Sequence, residues 1–363
     1  MISKWLWRAG WLLLPLAWLL HRFVHDDAVV FFVACASLIP LANTMGDATE
    51  ELAKRIGPGA GSLLNATFGN AAELILGIAA LRHGHVDLVK GSITGSILAN
   101  LLLVGGASIV TGGVRFSRLR FNRLTASSSV STLFLAVVAM VVPTLLSLGG
   151  NPRYDPALLS EEICAVLIVM YALSIWFGLR THREEMGTSR EELHATPAEA
   201  AASRPRAPEH QHAVGYDVGR LLIAAAATAV ASELVVSALN GTVTALHLPE
   251  TFVGVVIVAI VGNAAEHSTA LMFARRGDMD VALGIAWESS KQIALLVAPV
   301  LVIAGALLGA PMDLAFSRLE VVALGIAVIA LAMIALDGET HWLEGAFLLA
   351  VYAVLGMGFY FVG

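Results

Sequence analysis

The pentapeptide Gly-Asn-Ala-Ala-Glu occupies residues 69–73 and recurs unchanged at residues 262–266. Each copy lies within an apolar stretch of roughly 20 residues, which is the length that an α-helix needs to cross a bilayer. A carboxylate in such a stretch costs about 3 kcal/mol or more, so it is expected to face a cavity or a partner. A single buried glutamate could simply be hydrogen-bonded between helices. Because Glu73 and Glu266 occur in identical local sequences, a shared function is the better explanation for the two of them.

The composition of the chain indicates a membrane protein. Of its 363 residues, 57% are hydrophobic and only 14% are charged, and the mean hydropathy is +0.78. An ordinary soluble domain carries about 25% charged residues. The net charge of −6 provides no basic surface, so nucleic acid is not expected as a partner. Cys35 and Cys164 lie in apolar stretches and supply neither a disulfide framework nor a zinc site.

Eleven windows long enough to cross a bilayer can be placed along the chain. They cover residues 5–21, 28–53, 60–81, 87–112, 123–147, 157–179, 217–240, 250–273, 280–308, 319–336 and 342–362. Lys4 and Arg8 precede an apolar run that ends near Leu20, but no small-residue cleavage site follows this run, so we interpret the segment as a retained span. The predicted fold class is therefore an all-α polytopic membrane protein with eleven transmembrane helices and the lipid bilayer as its surroundings.

The distribution of basic residues orients these spans. With a cytoplasmic N-terminus, sixteen of the 22 Lys and Arg residues fall on the inner side and five on the outer side, while Lys291 lies within a span. Cytoplasmic loops normally carry this excess. The prediction is a multi-pass protein of the cell (inner) membrane, if the source is a prokaryote, with its C-terminus outside.

A single long polar connection, which contains three prolines and mixed charges, divides the chain. The predicted units are a leading transmembrane helix (1–26), a first five-helix repeat (27–180), a cytoplasmic polar linker (181–216) and a second, inverted five-helix repeat (217–363). The prolines and arginines favour a solvated linker over a regulatory helix. Since the two pentapeptides lie five spans apart, an odd number, they should cross the membrane in opposite senses. Inverted repeats with helices broken at matching glycines point to the binding site of a transporter.

The residue types in the two pentapeptides predict a site for a hard cation. Gly and Asn before each glutamate permit local unwinding, and Asn70 and Asn263 add amide oxygens to those of Glu73 and Glu266. Nearby hydroxyl groups belong to Ser62, Thr67 and Ser268. Such oxygens suit Ca²⁺, whereas thiolates or histidine pairs for a softer metal are missing from the motif. We expect transported ions, not a bound cofactor.

Two carboxylates that share one site suggest how transport could be coupled. When both are ionised and no cation is present, they repel each other and are costly to enclose. Either one Ca²⁺ or protons would remove this cost. The hypothesis is that Ca²⁺ and H⁺ compete for Glu73 and Glu266 and that access changes only in a loaded state, which produces antiport without catalytic residues.

Further polar residues surround this pair in the sequence. The stretch 91–100 combines glycines and hydroxyl residues with Asn100, which is compatible with close helix packing and equally with a polar layer around the site. Glu50 and Glu51 at the end of the second span and Glu233 in the seventh could line an access vestibule. Glu51 is also compatible with a solvated helix end.

These motifs together resemble the calcium/proton exchanger (cation/proton exchanger) family of the calcium/cation antiporter superfamily. The resemblance rests on Gly-Asn-Ala-Ala-Glu-Leu at 69–74, Gly-Asn-Ala-Ala-Glu-His at 262–267, Pro-Leu-Ala at 40–42 running into Ala-Thr-Glu-Glu-Leu-Ala at 48–53, and residues 91–100. It implies that Glu73 and Glu266 bind the exchanged ions. The residues implied to lie beside them or along the pathway are Gly69, Asn70, Ser96, Asn100, Glu50, Glu233, Gly262, Asn263, His267, Ser289 and Gln292. Gln292, where sodium-driven relatives typically have a further acidic residue, implies proton coupling.

One segment departs from the family pattern. Members usually read Gly-Ser-Ala-Thr-Gln in the ninth span, whereas residues 288–292 read Glu-Ser-Ser-Lys-Gln. Glu288 and Lys291 are three residues apart and can pair on one helix face. A lysine close to the site would otherwise repel Ca²⁺, so these two residues are possible modifiers of ion choice. Antiport of Na⁺, K⁺, Mn²⁺ or Cd²⁺ for protons therefore stays an alternative.

Two other classes of protein are less compatible with the sequence. A membrane-embedded hydrolase could use paired carboxylates, but the chain has no His-Glu-x-x-His and no Gly-x-Ser-x-Gly, so an enzyme is not expected. A cation channel would share the acidic pathway without proton coupling. Inverted repeats around one discrete site favour alternating access instead. The sequence leaves the oligomeric state, the stoichiometry and the direction of flux open.

Overall fold

A computed structural model describes residues 10–24, 26–56, 61, 64, 67–149, 155–178 and 214–362. The first half contains α1 (Leu13–Phe23), α2 (Asp27–Ile56), α3 (Ala71–Arg82), α4 (Val86–Leu98), the π-helical segment π1 (Ala99–Val104), α5 (Gly105–Gly113), β1 (Leu119–Arg120), α6 (Arg123–Leu148) and α7 (Pro156–Trp176). The second half contains α8 (Val214–Leu246), α9 (Glu250–Phe252), π2 (Val253–Val258), α10 (Ala259–Gly262), α11 (Ala264–Ala274), α12 (Met279–Gln292), π3 (Ile293–Val297), α13 (Ala298–Leu307), α14 (Arg318–Ala335), β2 (Glu339–Thr340) and α15 (Trp342–Val362). Ser62, the start of the first predicted span and most of the predicted linker lie outside the described residues.

Within the described ranges, eight helices are long and apolar enough to cross a membrane. They are Asp27–Ile56, Val86–Gly113, Arg123–Leu148, Pro156–Trp176, Val214–Leu246, Met279–Leu307, Arg318–Ala335 and Trp342–Val362. The pair Glu250–Gly262 and Ala264–Ala274 passes the same criterion as one span bent by 60°. The predicted polytopic helical architecture is thereby confirmed. The count of eleven stays a prediction, because the windows 5–21 and 60–81 include residues outside the description.

The prediction of an all-α protein needs one small correction. Strands β1 and β2 form an antiparallel ladder in which Leu119 pairs with Thr340 and Arg120 with Glu339. The Arg120 side chain also donates to the Glu339 carboxylate over 3.0 Å. Two-residue strands carry no hydropathy signal, so only the folded arrangement of the two connecting segments produces them.

Local capping signals determine where three of the long helices begin. The Asn122 side chain accepts hydrogen bonds from the backbone of Leu124 and Thr125 at the start of α6. Asp155 caps α7 in the same way, and Ser317 forms a capping box with Glu320 at the start of α14. These caps satisfy backbone N–H groups that lack a partner in the first turn. The three helices therefore start within about a residue of the predicted windows.

Helices α2 and α8 form the longest packed pair in the described part of the chain, and they run antiparallel. At one end Arg55 pairs with Asp217 over 2.9 Å. Near the other end Gly241 lies against Asp27, where a Cβ atom on the glycine would fall 1.8 Å from the Asp27 carboxylate. Helix α3 packs on α8, whereas α10 and α11 pack on α2. The pair is thus the common support for both helices that carry the pentapeptides.

Glycines bring α4 and π2 into backbone contact. A Cβ atom added at Gly91 would lie 2.9 Å from the Thr251 carbonyl oxygen, and one at Gly95 would lie 2.2 Å from that of Val255. Gly254 in turn approaches the Leu88 carbonyl oxygen. Small residues are the usual means by which membrane helices approach so closely. Close packing, one of the two functions considered for the stretch 91–100, is therefore confirmed.

Candidate cation site

The helix that carries each pentapeptide is interrupted just before its glutamate. In the first copy α3 begins at Ala71, and Asn70 precedes it with φ −104° and ψ 24°. In the second copy α10 ends at Gly262, Asn263 has φ −94° and ψ 9°, and α11 begins at Ala264. The predicted unwinding at the Gly-Asn step is confirmed. Each glutamate consequently lies in the first turn of a new helix, where the helix dipole stabilises negative charge.

The two pentapeptides meet in the folded chain. A Cβ atom added at Gly262 would lie 3.4 Å from Oε1 of Glu73, so the glycine of the second copy borders the carboxylate of the first. The charge of Glu266 is also close enough to interact with that of Glu73. Both side chains are half-buried. Two acidic groups thus share one largely enclosed region, as the repeated motif predicts.

The two asparagines of the site are oriented alike. Nδ2 of Asn70 donates to Oε1 of Gln292 over 2.6 Å, and Nδ2 of Asn263 donates to Oγ of Ser96 over 2.9 Å and to the Ala259 carbonyl over 3.0 Å. A backbone carbonyl can only accept, so the contact with Ala259 fixes which atom of the Asn263 amide is nitrogen. Asn70 has the same orientation in its bond to the Gln292 amide, and Oδ1 of both asparagines has no hydrogen-bond partner among the described residues.

A chain of hydrogen bonds holds Glu266. Ser289 is hydrogen-bonded to its carboxylate, Nδ2 of Asn100 donates to Oγ of Ser289 over 2.9 Å, and Nε2 of His267 lies 3.2 Å from Oδ1 of Asn100. Since an amide oxygen only accepts, His267 donates to Asn100. Ser289 accepts from Asn100, so its hydroxyl group is free to donate to the Glu266 carboxylate. The chain engages one face of the glutamate and positions it for a ligand on the other.

Several buried oxygens of this region lack a hydrogen-bond partner among the described residues. They are Oδ1 of Asn70, Oδ1 of Asn263 and Oε2 of Glu266, and both asparagines are 1% exposed. A buried acceptor without a partner costs about 1–3 kcal/mol. A bound cation is one group that could supply the missing partner of such an oxygen. In the described ranges no three His, Cys, Asp or Glu side chains cluster as metal ligands, and the oxygens without partners in this region belong to two amides and the Glu266 carboxylate.

The sequence-predicted neighbours divide into residues that join the site and residues that do not. Ser96, Asn100, His267, Ser289 and Gln292 join it through the bonds given above. Gly69 and Thr67 are exposed. Ser268 is exposed as well, and its hydroxyl donates to the Ala265 carbonyl, so its predicted place near the cation is not supported. Its spacing of two residues from Glu266 turns it to another side of the helix.

Glu50 and Glu233, the two residues predicted to line the access paths, lie on α2 and α8, and they differ in solvent exposure. Glu50 on α2 is 1% exposed and pairs with Lys54. The Glu233 side chain on α8 is 43% exposed and lies 3.5 Å from Arg82 and 3.6 Å from His83. A cavity of about 410 Å³ opens beside Glu233. The two positions therefore differ in their access to solvent in this conformation.

The departure in the ninth span forms an ion pair. Nζ of Lys291 bonds to Oε1 of Glu288 one turn earlier on α12. Glu288 is 8% exposed and Lys291 3% exposed. The internal pair expected from their spacing is confirmed.

Two features of the site were not predicted from the sequence. One of them, the repeat of the serines, could have been recognised there. Ser96 and Ser289 are 193 residues apart, as are Glu73 and Glu266, so the periodicity of the pentapeptide extends to the serines. The π-helical segments π1 and π3 begin at Ala99 and Ile293, within about one helical turn after these serines. Single π-helical turns often mark functional sites, but no residue pattern predicts them.

Comparison with known proteins identifies the family of the chain. The sequence pattern of the family described as "Sodium/calcium exchanger protein" matches residues 27–180 and 217–361. The "Ca(2+)/H(+) antiporter" of Aphanothece halophytica is 41% identical over 357 residues, which cover 96% of this chain and 95% of the relative. The structure of native YfkE superposes with a TM-score of 0.80 and 36% identity, covering 97% of this chain and all of that one.

A more distant structure shares the fold alone. The H⁺/Ca²⁺ exchanger CAX superposes with a TM-score of 0.74 at 16% identity, covering 99% of this chain and 92% of that one. With its apolar spans and these relatives, the chain is an integral, multi-pass membrane protein. It belongs to the sodium/calcium exchanger protein family and, within it, to the calcium/proton exchangers.

Proposed function

We propose that the protein is a secondary active antiporter that exchanges Ca²⁺ for H⁺ by alternating access. The observation that carries this proposal is the group of buried oxygens without hydrogen-bond partners, contributed by both pentapeptides. Carboxylate and amide oxygens are the ligands that Ca²⁺ prefers, and water can complete its coordination. The names of the relatives, "Ca(2+)/H(+) antiporter" among them, support the same pair of ions.

In this mechanism Glu73 and Glu266 bind Ca²⁺ together with Oδ1 of Asn70 and Oδ1 of Asn263. Gln292, Ser96 and the Ala259 carbonyl hold the amides, so the site is organised before the ion arrives. When Ca²⁺ leaves, two carboxylates remain in an enclosed region and repel each other. Protons relieve the repulsion, and each ion is released only when the other takes its place.

The architecture that we propose has eleven transmembrane helices, with a leading helix at 1–26 and inverted repeats at 27–180 and 217–363 joined by a cytoplasmic linker at 181–216. Eight apolar spans, one bent span and the helices α1 and α3 at the two remaining windows support it. Opposite crossing of the repeats would let the two pentapeptides meet near mid-membrane. A single cysteine added after the last residue, labelled by a membrane-impermeant reagent, tests the proposed outer C-terminus.

Transport in sealed liposomes tests the proposed reaction. With the membrane potential clamped, a Ca²⁺ gradient is expected to drive protons in the opposite direction. Calcium flux that follows voltage without proton movement would identify a channel. Larger proton movement with Mn²⁺, Cd²⁺, Na⁺ or K⁺ than with Ca²⁺ would assign another ion to the same site.

Replacing Ser289 by alanine is expected to raise the KM for Ca²⁺ about tenfold, because a hydrogen bond to a charged group contributes about 1.5–3 kcal/mol. The variant frees Glu266 to rotate away from the cation. Initial rates of exchange at increasing Ca²⁺ concentrations measure the effect. Ser290→Ala is the matched control, since that hydroxyl on the same helix donates only to the Ala286 carbonyl. Equal effects of the two substitutions would contradict a specific role for Ser289.

A further inference from the structure

Glu288 and Lys291, which form an ion pair, are adjacent in the sequence of α12 to two residues that hold the proposed cation ligands. Glu288 precedes Ser289, which bonds Glu266, and Lys291 precedes Gln292, which binds Asn70. Both charged residues are buried in a membrane-spanning helix. A buried charge in such a position is costly unless it has a counter-ion, and it acts strongly on nearby charges because the local dielectric constant is low.

The corresponding positions of the first half carry no charge. The spacing of 193 residues that relates Ser96 to Ser289 also relates Gly95 to Glu288 and Leu98 to Lys291. The second half therefore carries two opposite charges where the first half carries none. Because Nζ of Lys291 contacts the Glu288 carboxylate, the pair adds no net charge beside the site. Either residue alone would change that balance.

From this position we propose that Lys291 is a specificity-determining residue that acts as a built-in counter-cation for Glu288. It keeps the formal charge of the cation site at the two carboxylates of Glu73 and Glu266, which matches one divalent ion. Without the ammonium group, Glu288 adds a third negative charge, and the site then accommodates a monovalent cation such as Na⁺ in addition to Ca²⁺. The inference rests on the proposed function and specifies the ion selectivity of that site.

Opposite single substitutions and their combination test this role in the full-length protein in liposomes. Lys291→Met keeps the length of the side chain and removes its charge. We expect it to increase the apparent Ca²⁺ affinity about tenfold in sodium-free buffer and to make Ca²⁺ transport sensitive to competition by Na⁺. Glu288→Gln leaves the ammonium beside the site and is expected to weaken Ca²⁺ affinity about tenfold or more.

The double variant Glu288→Gln/Lys291→Met distinguishes charge from packing. It is neutral, so Ca²⁺ affinity and insensitivity to Na⁺ should return to within about twofold of the wild type, a difference well below 1 kcal/mol. A double variant as impaired as the single ones would overturn the proposal, as would unchanged affinity and Na⁺ response in both single variants. If Lys291→Met fails to fold, the loss in Glu288→Gln and its rescue in the double variant decide the question.

The wild type separates this inference from the proposed function. A wild-type protein that does not exchange Ca²⁺ for protons would contradict the proposed function. A wild-type protein that exchanges them, with single variants that bind Ca²⁺ normally and ignore Na⁺, would overturn the role of Lys291 alone. Monodisperse elution in detergent confirms that each variant is folded before its transport is measured.

Discussion

Replacing Glu266 by glutamine is expected to reduce calcium-driven proton movement about a hundredfold or more, and Glu73→Gln is expected to do the same. Glutamine fills the same space but carries neither the negative charge that binds Ca²⁺ nor an exchangeable carboxyl proton. A hundredfold loss corresponds to about 2.7 kcal/mol, which is within the contribution of one buried hydrogen-bonded charge. The measurement is the initial rate of proton movement after Ca²⁺ is added to sealed liposomes.

Glu162→Gln provides the control for these variants. Glu162 is an exposed glutamate in the second turn of α7, a helix that carries none of the site residues named above. Its substitution changes the net charge of the protein by the same amount, so the exchange rate should stay at the wild-type level. If either Glu73→Gln or Glu266→Gln exchanged at the wild-type rate, the mechanism in which Ca²⁺ and protons compete for the two carboxylates would be wrong.

Among Gly→Ala substitutions at the contact between α4 and π2, Gly95→Ala is expected to lower the stability of the protein most. The new Cβ atom would lie 2.2 Å from the Val255 carbonyl oxygen and 2.4 Å from its Cα. Backbone atoms cannot rotate away as a side chain can, so α4 and π2 would have to separate. Overpacking of this kind costs about 1–3 kcal/mol or more. We expect the melting temperature in detergent to fall by roughly 5–10 °C, with less folded protein recovered.

The control for Gly95→Ala is Gly325→Ala on α14. A Cβ atom at Gly325 meets nothing within 4 Å, and alanine favours the helix by about 1 kcal/mol over glycine. The melting temperature of that variant should therefore stay the same or rise. Equal melting temperatures for Gly95→Ala and the wild type would show that α4 and π2 can move apart without loss, contrary to the packing described here.

Local sequence signals predicted where most helices lie. The starts of α6, α7 and α14 agree with the hydropathy windows because Asn122, Asp155 and Ser317 cap them through contacts within three residues. The Gly-Asn step predicted a break before α11, but neither the 60° angle of that bend nor the π-helical segments could be predicted from the sequence. The segment π2 packs closely on α4, where Gly254 approaches Leu88, and no local sequence pattern identifies such a distant neighbour.

The residues of the candidate site were predictable from the sequence, whereas the hydrogen bonds between them were not. Repetition of the pentapeptide identified Glu73, Glu266 and the two asparagines. A carboxylate is costly in an apolar span, so its occurrence in two identical motifs indicates a shared function. Hydrogen bonding between the halves could not be derived from that repetition. Asn70 binds Gln292 and not Ser289, which is instead shared by Asn100 and Glu266. Spacing along a helix gives the face of a side chain but not its partner on another helix.

The sequence by itself determined that this is a helical membrane protein with two acidic motifs in apolar stretches, since hydropathy and repetition are properties of the chain. Only the tertiary structure decided that Gly262 of one motif borders Glu73 of the other and that Asn70 and Asn263 leave their side-chain oxygens without partners among the described residues. The physical reason is that hydrophobic burial depends on composition along a segment. A binding site depends on which side chains from distant segments come within hydrogen-bond distance, and helix packing alone sets those distances.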